Sequence, residues 1–285
     1  MIGRASGDQR VFDALAATYL ALVEATHAGP ARPGRRRTGP PGGGFGREPD
    51  CAWGWAPVAM PDINRVVAPR LAGSPGVVEA RIDAINAHFG ILPFTWWLDP
   101  GATPVDLAET LGWVVPRSIM ELVPVMALDL AGDGVRDEPF GRLTPGISVA
   151  LGERSDELVE AELLAARGFG AADEEAAPFA SMFADVTAPP DGPLIVAVAR
   201  LDGRPVATAL GIVRGEHLGV YNVATLPDAR RGGLGRAAAA AVLVEGRRRG
   251  ARTAVLESTA EGVGLYRALG FRDAGHALVV TSPGS

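Results

Sequence analysis

The sequence predicts a mixed α/β fold, an α+β or α/β arrangement in which a sheet carries helices on its faces. Apolar runs of period two recur between segments of helical spacing, in the order β-α-α-β-β-β-α-β-α-β-β over residues 146–285. Two of these runs flank Asp202-Gly203, a pair typical of a tight hairpin turn, which makes part of the sheet antiparallel. The chain has 285 residues, 47% of them hydrophobic, which is enough for one large domain or two of ordinary size.

The first 130 residues are predicted to form helices and strands on either side of a glycine-rich and proline-rich loop. Val11, Leu15 and Tyr19 belong to a set of apolar residues with the spacing of an amphipathic helix. Thr103 suits the start of a later helix, and Gly112 suits its end. The predicted order is helix 11–26, mobile surface loop 29–49, strand 51–58, helix 76–88, strand 91–100 and helix 103–113.

The second half shows a clearer alternation. A segment rich in Gly, Asp and Pro, 131–145, is predicted to link a domain over 1–130 to one over 146–285. Ser155 is the expected cap of the first helix, with Glu157 in the first turn. The predicted order is strand 146–152, helices 155–167 and 174–187, hairpin 193–213, strand 217–226, helix 235–249, strand 252–258, helix 261–269 and a strand pair over 271–281.

Composition excludes several classes of protein. The formal charge of −6 argues against a general nucleic-acid binder, and all 27 basic residues are arginine, which excludes Schiff-base chemistry on lysine. Cys51 is the only cysteine and the four histidines are scattered, so we expect no metal site and a reducing compartment. The longest apolar run, 237–244, is far shorter than the roughly 20 residues of a membrane span. The chain is therefore expected to be cytoplasmic, with no membrane or nucleic-acid partner.

The segment from Val223 to Arg236 has the composition of an anion-binding turn. A strand ends there, and a run of arginine and glycine leads directly into an alanine-rich helix. The first amides of a helix lack internal acceptors, and the helix dipole places positive potential at that end. Glycines let a pyrophosphate approach the backbone, and arginines add charge-assisted hydrogen bonds. The residues concerned are Arg230, Arg231, Gly232, Gly233, Gly235 and Arg236.

Other phosphate-binding motifs fit this segment less well. A Walker A loop needs a lysine, which the chain lacks. Of the three glycines of the dinucleotide fingerprint GxGxxG, only Gly233 and Gly235 are present, and alanine stands at the third position. An antiparallel hairpin also precedes this segment. A plain glycine-rich turn between a strand and a helix remains the structural alternative, although such a turn needs no flanking arginines.

Arg230, Gly233 and Gly235 resemble the (Arg/Gln)-x-x-Gly-x-(Gly/Ala) signature of the GNAT superfamily of N-acetyltransferases. Thr225-Leu226-Pro227 stands where that family has V-x-P, and the segment 264–271, GLYRALGF, is similar to its later Tyr-x-x-x-Gly-Phe helix. The resemblance covers residues 146–285. It implies a mostly antiparallel GNAT-like sheet flanked by helices, and acyl transfer from acetyl-CoA, or a related acyl-CoA, to an amine or a similar acceptor.

The resemblance also assigns roles to residues. Backbone groups of the strand are expected to hold the pantetheine arm, and the amides of the turn to hold the pyrophosphate. Tyr266 matches the family's tyrosine beside the sulfur, where it would protonate the leaving thiolate, although a helix aromatic packed on the sheet is the structural alternative. Thr259 stands where an asparagine is often found, and its hydroxyl is expected to bond the cofactor. The cofactor-binding set is Val223, Ala224, Thr225, Arg230, Arg231, Gly232, Gly233, Leu234, Gly235, Arg236 and Thr259.

The sequence does not single out a general base. Glu216, His217, Tyr221 and Glu257 are candidates, each also consistent with a solvated strand end. Because Cys51 lies outside the matching half, we expect direct attack of the amine in a ternary complex rather than an acyl-cysteine step. The acceptor and the oligomeric state, monomer or homodimer, stay open. The alternative function is a catalytically silent acetyl-CoA-binding sensor or scaffold.

The first 130 residues contain no second Arg-x-x-Gly-x-Gly turn. However, Asp106 to Trp113, DLAETLGW, is similar to LYRALGF of the second half, since each helix closes in Leu-Gly-aromatic after an apolar strand. This resembles tandem GNAT proteins in which the N-terminal copy is degenerate and binds no cofactor. The first half would then form one wall of the acceptor cleft.

Overall fold

The computed structural model describes residues 4–27, 43–132 and 145–284. Within these residues the helices are α1 (Gln9–His27), α2 (Pro75–Asn86), α3 (Leu107–Val114), α4 (Ser155–Gly168), α5 (Asp173–Ser181), α6 (Leu234–Arg248) and α7 (Val263–Ala268). The strands are β1 (Ser6–Gly7), β2 (Gly44–Glu48), β3 (Cys51–Trp55), β4 (Arg65–Val67), β5 (Phe94–Leu98), β6 (Ile119–Asp129), β7 (Ile147–Gly152), β8 (Leu194–Leu201), β9 (Arg204–Arg214), β10 (His217–Thr225), β11 (Thr253–Glu257) and β12 (Arg272–Ser282).

The described residues divide into two compact units that are not simple halves of the sequence. The first unit holds residues 4–16, 43–125 and 274–284, and the second holds the remainder. Helix α1 and strands β6 and β12 each contribute residues to both units. Most of the predicted linker, 131–145, lies outside the described residues, so the domain limits drawn from the sequence stay a prediction.

The second unit is built on a mostly antiparallel sheet. Its strands follow the order β11-β10-β9-β8-β7, in which β7 to β10 are antiparallel neighbours and β10 is parallel to β11. The predicted hairpin joins β8 to β9 at Asp202 and Gly203, which have φ values of 50° and 84°. Two successive positive φ values are those of a type I′ turn, whose twist matches the strands that it connects.

Helices cover both faces of this sheet. Leu218 of β10 lies against Gly246 of α6, where an added Cβ would come 2.5 Å from the leucine side chain. The next residue, Gly219, lies against Thr18 of α1. Because successive strand residues point to opposite faces, α6 and residues 17–27 of α1 lie on opposite sides of β10. The alanine-rich composition of α6 follows from this packing, since small side chains allow a helix to approach a sheet closely.

The first unit repeats part of this topology. Its strands follow the order β2-β3-β4-β5-β12, with β4 parallel to β5 and the other neighbours antiparallel. Helix α2 connects β4 to β5 and α3 follows β5, as α6 connects β10 to β11 and α7 follows β11. Trp96, Ile82 and Leu111 are fully buried in the core of this unit.

Several local predictions are wrong. The loop predicted over 29–49 contains β2, while residues 28–42 lie outside the described part. Gly46 of β2 lies opposite Trp53 of β3, and a Cβ at Gly46 would clash with the indole ring. Gly44 and Gly46, which suggest a loop in the sequence, instead leave room for the rings of Trp55 and Trp53 on the neighbouring strand.

Helix ends also differ from the prediction. The cap of α4 is Arg154 rather than Ser155, because Glu157 Oε2 accepts hydrogen bonds from the amides of Glu153 (2.9 Å) and Arg154 (3.1 Å). Helix α5 ends at Ser181, several residues before the predicted end at 187.

The segment over 271–281 forms one strand, β12, rather than two. No described helix combines the length and the hydropathy that a membrane span requires.

Candidate active site

The parallel strands β10 and β11 separate part-way along their length. Within the described residues their last pair is Gly219 with Val255. Strand β10 then bulges, since its register with β9 shifts between Tyr221 and Ala224, and Asn222 has a φ of 49°. The rest of β10 therefore has one edge paired with β9 and one edge available to an extended ligand.

The three predicted strand residues lie on this open part of β10. Val223 and Thr225 are half-buried and Ala224 is buried. Gly168, the last residue of α4, packs against Ala224, where an added Cβ would come 2.8 Å from the alanine Cβ. The amide of Leu226 donates to Val206 O on β9 at 2.9 Å, so the pairing with β9 continues past Thr225.

Helix α6 opens toward solvent with a series of unpaired amides. Gly233 caps the helix with a φ of 77°, and Arg231 has a φ of 67°. The first helical hydrogen bond runs from Ala237 N to Gly233 O at 2.9 Å. In the described part of the chain no acceptor bonds the amides of 231–236, and Gly232 and Gly233 are exposed. The helix entrance therefore presents donors and the positive end of the helix dipole to solvent.

Gly235 lets α6 approach β10. A Cβ at this position would come 2.7 Å from Thr225 Oγ1 and 3.7 Å from Leu265. Any larger residue would push the helix entrance away from the open edge of the strand. The second fixed glycine of the motif is thus required by close packing, while Gly233 is required by its left-handed backbone.

Arg230 has a structural role in this turn. Its guanidinium donates to the carbonyl oxygens of Thr225 (3.2 Å) and Gly168 (2.8 Å). These two bonds tie the turn to the end of α4. Arg231 and Arg236 are exposed beside the helix entrance, so they are the guanidinium groups left to face an anion.

Tyr266 lies on α7, in the core of the second unit. Its ring packs edge-on against Phe271 with ring centroids 5.7 Å apart, and the residue is 9% exposed. Burial raises the pKa of the phenol well above its ordinary value. Its hydroxyl makes no hydrogen bond within the described residues. The aromatic ring therefore packs in the core, as the structural alternative expected, and the catalytic role of the hydroxyl stays a prediction.

Thr259 occupies the turn that precedes α7. Its Oγ1 accepts a hydrogen bond from the amide of Gly262 at 3.2 Å, and its carbonyl accepts one from Ser258 Oγ at 2.8 Å. The residue is exposed, and its hydroxyl hydrogen stays available to a ligand.

The four base candidates from the sequence fall in different places. Glu216 and His217 lie where β10 begins, at the paired end of β10 and β11, and Glu216 faces Arg252 across 3.8 Å. Glu257 ends β11, on the side where the strands have separated. The hydroxyl of Tyr221 lies 2.9 Å from Thr18 Oγ1. Only Tyr221 and Glu257 therefore lie on the open side of the strand pair.

Glu162 is a buried carboxyl that the sequence reasoning missed. It is 0% exposed on α4, and its Oε2 accepts a hydrogen bond from Asn222 Nδ2 at 2.7 Å. Burial raises the pKa of this carboxyl to about 8, and the Asn222 hydrogen bond opposes that rise. The signal in the sequence is its position on the apolar stripe formed by Leu158, Ala161 and Ala165.

Comparison with known proteins gives a family match for part of the chain. Residues 158–271 match the sequence model described as the Acetyltransferase (GNAT) family. These residues form a GNAT-family domain. Membership supports acyl transfer as the general class of reaction, as the motifs predicted. No curated protein matches the sequence.

Solved structures show the same fold over nearly the whole chain. A GCN5-related N-acetyltransferase from Kribbella flavida has a TM-score of 0.64 and 21% identity, covering 95% of this chain and 96% of that one. A tandem GNAT protein from the clavulanic acid biosynthesis pathway has a TM-score of 0.54 and 16% identity, covering 96% and 97%. A GCN5-related N-acetyltransferase from Sphaerobacter thermophilus has a TM-score of 0.53 and 16% identity, covering 99% and 95%. The predicted GNAT-like fold class is confirmed.

In the first unit, the strand edge that corresponds to the open edge of β10 is paired. Beyond β4, Thr103 pairs with Arg70 in a parallel bridge, accepts from Leu71 N at 3.0 Å and donates to Pro69 O at 3.2 Å. The edge that is open in β10 is therefore occupied here by the chain itself. Helix α2 also begins with Pro75, which has no amide hydrogen to offer an anion.

No group of three or more His, Cys, Asp or Glu among the residues described is arranged to hold a metal ion.

Proposed function

We propose that the GNAT domain transfers an acetyl group from acetyl-CoA to an amine of an acceptor by direct attack. The observation that carries this proposal is the coincidence of two features, the open edge of β10 after Gly219 and the row of unpaired amides at the start of α6. The first suits an extended amide-containing arm, and the second suits a diphosphate.

The residues present fit acetyl-CoA. Backbone groups of Val223, Ala224 and Thr225 would pair with the pantetheine arm, and the Thr259 hydroxyl would donate a hydrogen bond to the cofactor. The diphosphate would be held by the backbone amides of Arg231, Gly232, Gly233, Leu234, Gly235 and Arg236. Support comes from the exposure of Gly232 and Gly233 and from the absence of acceptors for 231–236 in the described chain. Arg230 acts indirectly, by fixing the turn to Gly168 and Thr225.

When bound, acetyl-CoA supplies an acyl group activated as a thioester. Tyr266 donates a proton to the leaving sulfur. Its raised pKa keeps the phenol protonated until the carbon–sulfur bond breaks. Direct attack is preferred to an acyl-cysteine route because burial raises the pKa of the Cys51 thiol to about 12, which suppresses the nucleophilic thiolate.

The first unit is proposed to be a degenerate copy that binds no acetyl-CoA. Its strand edge is closed at Thr103, and Pro75 removes an amide from the helix start. Cofactor binding should therefore saturate at one molecule per chain. Two molecules of acetyl-CoA per chain in a calorimetric titration would contradict this assignment.

Calorimetry with acetyl-CoA tests the cofactor site. Gly233→Val should abolish binding while leaving the circular dichroism spectrum unchanged, because a β-branched side chain at a φ of 77° distorts the helix entrance. Gly170→Val, at a φ of 94° with open space around it, is the matched control and should bind normally. Equal affinity of wild type and Gly233→Val would contradict the proposed cradle.

Release of free thiol in the presence of a panel of amines tests the reaction. Tyr266→Phe should lower the rate and leave the affinity for acetyl-CoA unchanged, since the ring still packs on Phe271. Unchanged rates would remove Tyr266 from the mechanism. Binding of acetyl-CoA without thiol release for any amine would instead support the silent sensor or scaffold.

A further inference from the structure

Asn222 is a residue with left-handed backbone inside a strand. Its φ of 49° falls where the register of β10 with β9 shifts, between Tyr221 and Ala224. For a residue other than glycine this conformation is costly, although asparagine tolerates it better than most. Such a residue persists only where its surroundings hold it in place. The bulge of β10 therefore needs a contact that fixes Asn222.

Glu162 supplies that contact from α4. Its Oε2 accepts a hydrogen bond from Asn222 Nδ2 at 2.7 Å, and the residue is 0% exposed. Ala161 and Ala165 on the same helix are buried as well, so the part of α4 that carries the carboxyl is packed in the core. Water does not reach the carboxyl to compete for the hydrogen bond, which strengthens it. The side chain of Asn222 is thus fixed to a rigid helix.

The other end of the same stretch of β10 is also fixed to α4. Arg230 donates to the carbonyl oxygens of Thr225 (3.2 Å) and of Gly168 (2.8 Å), the last residue of α4. The predicted pantetheine-binding residues, 223–225, therefore run from one attachment at Asn222 to a second at Thr225. Helix α4 holds both ends of the segment whose free edge follows the separation of β10 from β11.

We propose that Glu162 is a positioning residue for acetyl-CoA, because its hydrogen bond to Asn222 holds the bulge that turns the backbone groups of 223–225 toward the open edge of β10. This inference rests on the proposed function, and Glu162 itself does not touch the ligand. Without the hydrogen bond, Asn222 relaxes toward extended backbone, which rotates the residues that follow it. Only molecules that keep the bulge then bind the cofactor, and the apparent affinity falls in proportion to their fraction.

Calorimetric titration with acetyl-CoA at pH 7 tests this role. Glu162→Leu keeps the approximate size of the side chain and removes the acceptor. Its dissociation constant should rise roughly tenfold, as expected when about a tenth of the molecules keep the bulge. Glu162→Gln keeps an acceptor oxygen and should bind like the wild type. Burial raises the pKa of Glu162 to about 8, so the carboxyl is mostly neutral at pH 7 and a neutral amide replaces it closely.

Glu160→Leu is the matched control, because Glu160 lies two positions earlier on α4 and pairs with Arg200 at the surface. It should bind acetyl-CoA normally. Wild-type affinity in Glu162→Leu would overturn the proposal. An equal loss in Glu162→Leu and Glu162→Gln would overturn it too, since the hydrogen bond would then not be the cause.

Asn222→Gly keeps the test decisive if Glu162→Leu does not fold. Glycine adopts a φ of 49° without strain but offers no side chain to Glu162, so the dissociation constant should rise by roughly threefold to tenfold. In NMR spectra of the ligand-free protein, the amide signals of Ala224 and Thr225 should move in Asn222→Gly and stay in place in Glu162→Gln. If the wild type does not bind acetyl-CoA, the proposed function fails and this inference with it. Binding by the wild type and equal binding by Asn222→Gly would refute this inference alone.

Discussion

Replacing Glu162 with glutamine should stabilise the protein, and by an amount that grows with pH. A carboxyl whose pKa rises from 4.5 to about 8 on folding keeps its proton in the native state while the unfolded chain loses it. Its contribution to stability is complete below about pH 4.5 and declines as the pH rises toward 8. The resulting penalty is about 1 kcal/mol at pH 5 and about 3 kcal/mol at pH 7, since one pKa unit corresponds to about 1.4 kcal/mol.

Thermal unfolding of both proteins at pH 5, 6, 7 and 8 measures this penalty. The difference in Tm between Glu162→Gln and wild type should widen by roughly 5–10 °C between pH 5 and pH 7, taking about 2–4 °C per kcal/mol. Glu160→Gln is the matched control, because Glu160 lies two positions earlier on α4 and pairs with Arg200 at the surface. It removes a charge from the same helix at a partly exposed position, and so reports the effect of the substitution without burial. A constant difference for Glu162→Gln would refute the assignment of a buried carboxyl that resists ionisation.

Other substitutions test the packing around the same site. Arg230→Met removes both bonds to backbone carbonyls and should lower the free energy of unfolding by about 1 kcal/mol, measured by urea denaturation. Gly235→Ala should cost roughly 1–3 kcal/mol by the same assay, because its Cβ would come 2.7 Å from a hydroxyl, whereas Gly264→Ala enters open space and should cost nothing. Glu245→Gln should cost about 2 kcal/mol at pH 7. Arg248 and then Arg249 lower the Glu245 pKa, so the difference should shrink as the pH falls below the ordinary value of 4.5 and through the lowered pKa. A difference that did not change with pH would show that the ion pairs are not its source.

The parts of the site that the sequence predicted are those built from neighbouring residues. Gly233 and Gly235 lie within one turn of α6, and the structure accounts for each by local geometry, a left-handed backbone at one and a close approach at the other. The Asp202-Gly203 hairpin was also predicted correctly, because two residues with positive φ suffice to define the turn. In each case the local geometry is set by the residues of the motif themselves.

The contacts that the sequence did not predict join residues far apart in the chain. Arg230 was expected to face an anion, yet its guanidinium is bonded to Gly168, 62 positions earlier in the chain. Glu162 and Asn222 are 60 positions apart, and Tyr221 meets Thr18 across 203 positions. Periodicity assigns a residue to a face of a helix or strand, but it does not say which other element covers that face.

The sequence by itself determined the mixed α/β fold class, the glycine-rich helix entrance and the tyrosine of the last helix, since all three depend on short-range spacing and backbone preference. Only the tertiary structure decided that β10 separates from β11 after Gly219, that the matching edge in the first unit is filled by Thr103, and that one carboxyl of α4 is enclosed behind the bulge. The physical reason is that strand pairing and burial are set by contacts between segments far apart in the chain, whereas helix entrances and tight turns are set by a few consecutive residues.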